Sequence, residues 1–278
     1  FKHVGLCEES PRDAVKTNII GTQNVIDAAI ANSVDRVIFT SSDKAVNPTS
    51  VMGTSKLMGE RLITAANAQA RDSRPIFSST RFGNVLGSRG SVIPLFTQQI
   101  HDGGPVTLTH RDMTRFIMTL GEAVRMVLDS VFLAYGGEVL VTKMPAVRVK
   151  DLAAAMVEIL APTFGYDAEK IEVVEIGVKP GEKMYEELMN AEETRRTVEL
   201  RDYFVVKPAL GALFRDIDFH YDGIVTDQIS TPYNSSAMPQ MSLPALKDFL
   251  YGHQVLRNGM DSAGFPHSES GFTVAAEH

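Results

Sequence analysis

The residues with the most chemistry in this sequence follow its first predicted strand. Residues 36–40 (RVIFT) are a short run of β-forming side chains, which predicts a buried strand, and residues 40–44 (TSSDK) add hydroxyls, a carboxylate and an amine. In doubly wound α/β sheets, ligands bind at the carboxyl ends of the strands, where this cluster falls. It can therefore exchange protons with a ligand. The same residues also suit a polar turn in which Ser or Asp caps the next element.

Lys56 extends this candidate site from the next predicted helix, residues 52–68. Met52 and Lys56 are four positions apart, so both side chains point to one helix face. Taken alone, Lys56 would be an ordinary surface lysine. Because it follows the TSSDK cluster at this spacing, it becomes a candidate member of the same site.

A glycine-rich loop, residues 83–91, joins a predicted strand at 75–82 to a predicted helix at 92–101. Glycines let backbone amides approach a ligand, and a helix N-terminus offers its positive end. The loop therefore suits a phosphate or diphosphate, although it matches neither the Walker pattern nor the G-x-G-x-x-G fingerprint. Two further stretches, 111–116 and 179–183, place cations beside turns and could hold charged or hydroxyl groups of a nucleotide.

Helices and strands alternate along most of the chain. Helical spacing predicts further helices at 11–32, 121–134, 149–160 and 181–189, and strand-forming runs lie at 106–109, 115–119, 138–142 and 170–176. The first of these helices begins with Ser10 as its cap and Pro11 in its first position. This alternation predicts an α/β fold with a Rossmann-like, doubly wound parallel sheet. Shorter elements after residue 143 predict a small C-terminal lobe, and the aperiodic residues 253–278 predict a flexible tail.

Composition excludes several classes of protein. The 278 residues are 44% hydrophobic, which excludes overall disorder, and the net charge of −7 argues against a general nucleic-acid binder. No apolar run reaches the roughly 20 residues of a membrane-spanning helix. The single cysteine, Cys7, excludes a disulfide framework, and the scattered histidines indicate no metal site. We therefore expect a cytoplasmic protein, and the first residue, Phe1, predicts that the chain begins inside a longer one.

Together, these stretches resemble the extended short-chain dehydrogenase/reductase superfamily, and within it the UDP-N-acetylglucosamine 4,6-dehydratases of the polysaccharide-biosynthesis group. The matching segments are residues 2–4, 16–18, 41–48, 51–56, 81–85, 87–92, 113–116 and 179–183, in the family's order. The family's first strands and its dinucleotide-binding glycine turn would precede Phe1. The resemblance implies that residues 1–142 are the C-terminal part of an NAD(P)-binding Rossmann domain with interleaved substrate loops. Residues 143–252 would then be mainly a substrate-binding lobe.

The implied reaction oxidises C4 of the sugar, eliminates water across C5 and C6, and returns hydride to C6. By resemblance, Lys44 is the base at C5, Asp43 is the acid at the C6 hydroxyl, and Ser42 hydrogen-bonds the C4 oxygen. Lys56 would bind the nicotinamide ribose. Most of the superfamily has tyrosine where this chain has Met52, and a thioether cannot exchange protons, so the acid–base work falls on its neighbours. Because the ordinary lysine pKa is near 10.4, Lys44 needs a lowered pKa, to which Lys56 is a candidate contributor.

The resemblance also implies binding residues and partners. For the UDP-sugar these are Lys2, Asn84, Val92, Thr109, Arg115, Lys179 and Glu182. For the cofactor, NADP or NAD with NADP ranked first, they are Ser41, Met52, Lys56 and Val85. The helices at 11–31 and 52–68 resemble the pair through which many superfamily members dimerise, which predicts a homo-oligomer. No nucleic acid and no membrane segment of this chain are expected to take part.

Two other functions remain open on sequence grounds. A UDP-sugar 4-epimerase shares the fold and the nucleotide, but it needs no acid–base pair at C5 and C6, so Asp43 and Lys44 argue against it. A non-catalytic nucleotide-sugar-binding homologue is suggested by Met52. An unused site has no need to retain its whole acid–base cluster, so the dehydratase is the favoured hypothesis.

Overall fold

The computed structural model describes residues 1–69, 75–88, 91–178, 181–209, 217–252 and 255–256. The α-helices are α1 Val4–Glu9, α2 Pro11–Ala14, α3 Gly21–Ala31, α4 Val51–Gln69, α5 Val92–His101, α6 Leu120–Leu133, α7 Val149–Thr163 and α8 Leu243–Gly252. A π-helical segment, Val15–Ile20, joins α2 to α3, so the chain is helical through the range predicted for the first helix. Within the described part of the chain, no helix combines the length and apolarity needed to cross a bilayer.

The strands build one large sheet and three small ones among the described residues. They are β1 Arg36–Ser42, β2 Ile76–Phe82, β3 Asn84–Val85, β4 Val106–Leu108, β5 Thr114–Met118, β6 Val139–Thr142, β7 Ala146–Arg148, β8 Val173–Glu175, β9 Glu187–Met189, β10 Thr197–Glu199, β11 Tyr203–Val206 and β12 Tyr233–Asn234. The large sheet has the order β1-β2-β6-β11-β10. Its strands β1, β2 and β6 are parallel, and α4 connects β1 to β2. This arrangement confirms the predicted Rossmann-like α/β class.

The chain folds into two compact units, each assembled from three segments. Unit 1 comprises Phe1–Gly83, Gly121–Met144 and Pro180–Met238, and unit 2 comprises Asn84–Leu120, Pro145–Lys179 and Pro239–His278. Unit 1 contains the five-stranded sheet, whereas unit 2 contains the sheet β3-β5-β7 and the pair β4-β8. The sequence-based division placed one boundary after residue 142. The units differ from it because β10 and β11 return to the large sheet as antiparallel strands.

Strand β1 lies at one edge of the large sheet, beside α4. Apolar side chains of α3, α4 and β2, among them Ile26, Ile63 and Phe77, form the cluster under this edge. Helix α4 approaches β1 closely at Gly59, where a Cβ atom would lie 2.4 Å from the ring of Phe39. Most side chains of β1 are half-buried. The prediction of a buried strand is wrong here, because side chains of a strand are buried only where other elements cover both faces of the sheet.

The structure corrects the prediction of a helix at 181–189. Gly181 has a positive φ of 79°, turns follow it, and residues 187–189 form β9, which pairs with β12. This segment bonds to other parts of unit 1 instead of forming its own helical ladder. The predicted tail, 253–278, lies outside the described residues apart from Val255 and Leu256, which are helical and buried.

Candidate active site

The carboxyl end of β1 continues directly into a one-turn 3₁₀ helix, Asp43–Ala45. Ser42 caps this turn, since its Oγ accepts the Lys44 backbone N–H at 3.2 Å, and the same hydroxyl donates to Asp43 Oδ1 at 2.8 Å. Lys44 Nζ lies 3.1 and 3.2 Å from the two carboxylate oxygens of Asp43. The Asp43 side chain is 3% exposed and that of Lys44 is 32% exposed. A buried carboxylate and an accessible amine are therefore in direct contact, as their adjacency at a strand end predicts.

Helix α4 packs directly against this acid–base turn at Gly53. A Cβ atom at position 53 would lie 2.3 Å from the carbonyl oxygen of Lys44, a distance that real Cβ atoms do not tolerate. Glycine is needed here because the helix backbone and the turn meet without room for a side chain. This close approach fixes the distance between the Lys44 backbone and α4.

Lys56 of α4 lies against the carboxyl-terminal half of β1. Its Nζ donates to the Thr40 carbonyl at 3.0 Å and sits 5.0 Å from the centre of the Phe39 ring. Burial lowers the pKa of Lys56, and the charge of Glu60 opposes that shift. The hydroxyl of neighbouring Ser41 is buried and has no hydrogen-bond partner among the described residues. This strand end therefore presents an ammonium group and an unsatisfied hydroxyl.

Met52 and Lys2 have different surroundings from the cluster at 42–44. Met52 is 4% exposed and packs with Cys7 and Ala14 in an apolar cluster of unit 1. Lys2 is exposed, and it follows Phe1, whose carbonyl accepts a bond from Asn18. Glu182, also in unit 1, is half-buried in the turns after Gly181.

The remaining predicted site residues belong to unit 2. Asn84 and Val85 form β3, parallel to β5, and the Asn84 amide donates to the Phe116 carbonyl at 3.3 Å. Arg115 on β5 and Thr109 before it both contact the sulfur of Met113. Val92 begins α5 and is half-buried, and Gly87 in the preceding loop has a φ of 76°. Lys179 lies outside the described residues.

Two side chains of unit 1 lie in stretches that the sequence analysis singled out, but neither was assigned a role of its own there. Lys183 donates from Nζ to the Val46 carbonyl at 2.6 Å, just after the acid–base turn. Arg81 is 1% exposed on β2 and makes two hydrogen bonds to Glu60 and two to Glu193. An arginine inside an otherwise buried strand is itself a signal, because a buried guanidinium requires carboxylate partners.

Arg81 and Glu193 shift each other's pKa values towards the charged forms. Burial acts to lower the pKa of Arg81, but the two carboxylates outweigh it and the pKa is raised. Burial likewise acts to raise the pKa of Glu193, while the charge and hydrogen bonds of Arg81 bring it below its ordinary value. Arg81 and Glu193 are therefore both charged in the folded protein at neutral pH.

The fold and this site define an α/β protein of Rossmann type with an acid–base pair at the carboxyl end of a sheet strand. The chain belongs to the family described as polysaccharide biosynthesis protein, whose sequence profile matches residues 1–208. A solved relative, Pen from Bacillus thuringiensis, superposes with a TM-score of 0.83 at 42% identity, covering 92% of this chain and 74% of that one.

Three curated relatives bear on function. The chain is 56% identical over 208 residues to the uncharacterized membrane protein MJ1061 of Methanocaldococcus jannaschii, covering 75% of this chain and 62% of that protein. It is 38% identical to a UDP-N-acetylglucosamine 4,6-dehydratase (inverting) of Campylobacter jejuni, covering 81% and 64%. It is 37% identical to a UDP-glucose 4-epimerase of Rickettsia rickettsii, covering 93% and 74%. The chain thus spans less than two thirds of the first two relatives.

Proposed function

We propose that this protein is a nucleotide-sugar 4,6-dehydratase that converts UDP-N-acetylglucosamine to a UDP-4-keto-6-deoxy sugar for polysaccharide or glycan biosynthesis. The observation that carries the proposal is the contact of Asp43 with both Ser42 and Lys44 at the carboxyl end of β1. Elimination across C5 and C6 needs one group that removes a proton and a second that donates one. Adjacent side chains in contact meet that need.

The pair can reach its reactive protonation state without solvent. Elimination requires a neutral Lys44 amine and a protonated Asp43, which is the ion pair after transfer of one proton from Nζ to a carboxylate oxygen 3.1 Å away. The net charge of the site does not change in that transfer. Lys44 then takes the C5 proton while Asp43 protonates the departing C6 hydroxyl, and general acid–base steps of this kind contribute about 10²–10⁴-fold each.

The residues at the end of β1 fit a nicotinamide cofactor. The buried Ser41 hydroxyl lacks a partner among the described residues, and the Lys56 ammonium lies along the same strand, so both have capacity for a ribose or carboxamide. A bound nicotinamide would supply the hydride acceptor for C4 and the donor for C6. NADP is the first choice and NAD the second, and Met52 and Val85 keep their predicted role as cofactor neighbours.

The UDP-sugar contacts remain as the resemblance assigns them. In unit 2, Arg115 offers a guanidinium, and Asn84 and Thr109 offer polar side chains within a short stretch of sheet. The glycine loop before α5, with the N-terminus of that helix, suits the diphosphate. Val92, Lys2, Lys179 and Glu182 complete the proposed set.

A UDP-sugar 4-epimerase is the second candidate, since an epimerase and a dehydratase stand at nearly equal identity to this chain. Epimerisation removes and returns hydride at C4 without breaking a bond at C5 or C6. It therefore gives no task to a lysine in contact with a buried carboxylate. We favour the dehydratase for that reason.

The test is to incubate the full-length protein with UDP-N-acetylglucosamine and NADP⁺ or NAD⁺ in D₂O. A dehydratase forms a product that has lost one water and that acquires deuterium at C5, both visible by NMR, whereas an epimerase forms an isomer of unchanged mass. Lys44→Ala should abolish turnover, and Lys170→Ala, at a lysine 82% exposed in unit 2, should not. An unchanged sugar in the presence of bound cofactor would refute both enzyme assignments.

The homo-oligomeric state and the cytoplasmic location are part of the same proposal. Ile20, Val25 and Ile30 expose 49%, 57% and 39% of their surface along the helical region that contains α3. Such a face suits the dimerisation implied by the resemblance, and sedimentation of the full-length protein tests it.

A further inference from the structure

The segment after Gly181 is tied to the chain that follows the acid–base turn. Lys183 Nζ donates to the Val46 carbonyl at 2.6 Å, and the Asn47 amide donates to Glu187 Oε2, also at 2.6 Å. A third bond joins Thr49 Oγ1 to the Gly181 carbonyl at 3.3 Å. Three bonds thus connect residues 46–49 with residues 181–187, far apart in sequence.

The far end of this segment is anchored in the interior of unit 1. Glu186 exchanges two hydrogen bonds with Ser235, and its side chain is buried. The carbonyl of Leu188 accepts from the buried guanidinium of Arg81 at 3.1 Å. Because these anchors are buried, the segment can hold residues 46–49 in place.

Lys183 also brings a charge to the acid–base pair. Burial lowers the pKa of Lys183, while Asp43 and Glu187 raise it, Lys44 lowers it and Glu186 raises it. Interaction between two charges is mutual, so the Lys183 ammonium acts on Asp43 and Lys44 as they act on it. By contrast, the pKa of Lys56 responds to burial and to Glu60.

We propose that Lys183 is a positioning residue, which fixes the acid–base turn through the Val46 carbonyl and places its positive charge near Asp43 and Lys44. The charge disfavours the ammonium form of Lys44, so Lys44 releases its proton more readily. Lys183 thereby sets the pH range in which the pair works. The role in turnover rests on the proposed dehydratase activity.

The first test compares the pH profile of dehydration by the full-length protein with those of Lys183→Gln and Lys183→Arg. Loss of the charge should move the midpoint that belongs to Lys44 upward by about 0.5–1 pH unit in Lys183→Gln, whereas Lys183→Arg should keep the wild-type midpoints. Lys143→Gln is the matched control, because Lys143 also donates to a backbone carbonyl, that of Leu200, elsewhere in unit 1. A uniform loss of rate with unmoved midpoints would reduce Lys183 to a structural contact and overturn the proposal.

The second test is independent of turnover. Protein with ¹³Cε-labelled lysine is titrated by NMR, with the Lys44 signal assigned from Lys44→Arg. The pH at the midpoint of the Lys44 titration should rise in Lys183→Gln and stay unchanged in Lys143→Gln. An unmoved Lys44 midpoint refutes the inference, whereas an inactive wild type with a moved midpoint refutes the proposed function alone.

Discussion

Asp43 accepts hydrogen bonds from Ser42 and Lys44 while almost none of its side chain reaches solvent. Asp43→Asn keeps the acceptor for Ser42 and removes the acid. We expect dehydration to fall by about 10²–10⁴-fold, measured as initial rates by NMR. Asp151→Asn, in a half-exposed ion pair with Arg148, should retain full activity. Wild-type rates in Asp43→Asn would remove this carboxyl from the mechanism.

The contact among Ser42, Asp43 and Lys44 could be predicted from sequence, because adjacent residues at a strand end have few ways to separate. The neighbour that carries a charge to this pair could not be predicted, since Lys183 bonds to the Val46 carbonyl across 137 positions in the chain. The sequence analysis named Lys56 for that task from its distance along one helix. Sequence spacing describes local geometry well and long-range contacts poorly.

At the scale of elements, the close packing of α4 against the acid–base turn depends on Gly53. Gly53→Ala places a Cβ 2.3 Å from the Lys44 carbonyl, so either the helix or the turn must move. We expect the free energy of unfolding to fall by about 1–3 kcal/mol, as for other overpacked sites, in chemical denaturation.

Gly5→Ala is the control for this prediction, because a Cβ at that helical position has nothing within 4 Å. Alanine is the better helix former, so Gly5→Ala should leave stability equal or slightly higher. Equal stability of both variants would show that α4 and the turn can separate freely.

Arg81 joins β2, α4 and the 3₁₀ helix Glu193–Arg196 through Glu60 and Glu193. Arg81→Leu removes the guanidinium that both buried carboxylates share, and we expect it to lose about 3–5 kcal/mol at neutral pH. The triple variant Arg81→Leu/Glu60→Leu/Glu193→Leu should recover much of that loss. An unchanged free energy of unfolding in Arg81→Leu would contradict the role assigned to this buried ionic network.

A fall in pH should lower the stability of the wild-type protein and raise that of Arg81→Leu. In the wild type, Arg81 holds the pKa of Glu193 below its ordinary value, so this contribution to stability is complete above about pH 4.3 and declines as pH falls through the folded pKa. In Arg81→Leu, burial acts to raise the pKa of Glu193 and only the Asn190 backbone N–H and the charge of Arg196 remain to oppose it, so stability should increase as pH falls from 7 towards 5. Denaturation midpoints across this range measure both slopes, and parallel slopes would exclude the assigned cause.

Most helices and strands could be predicted because their apolar periodicity is regular. Helices α4 and α5 and strands β2 and β6 lie within a residue or two of the ranges expected. The segment 181–189 could not, because its conformation depends on Val46, Asn47 and Tyr233, which are distant in the chain. The half-burial of β1 likewise depends on which strands flank it, and local pattern carries no such information.

At the scale of the whole molecule, α6 carries an apolar stripe with a spacing of four residues. Val124, Leu128 and Phe132 expose 51%, 58% and 83% of their surface. Contiguous exposed apolar surface promotes association, so the double variant Leu128→Lys/Phe132→Lys should sediment with less self-association. Its free energy of unfolding should change by about 0.5 kcal/mol or less. Met126→Lys, at a side chain 2% exposed on the same helix, should unfold the protein, and equal effects would contradict the assigned faces.

The chain passes from one compact unit to the other five times along its length. No single cut in the gene can therefore release either unit intact, and a truncation that passes residue 83 from the N-terminus or residue 239 from the C-terminus removes parts of both units. Exchange of the whole of unit 2 with that of a relative therefore requires three segments to be replaced at once. A recombination library with one crossover yields hybrids in which at least one unit mixes parents, and chimeras that keep each unit whole require simultaneous junctions near residues 83, 120, 144, 179 and 238.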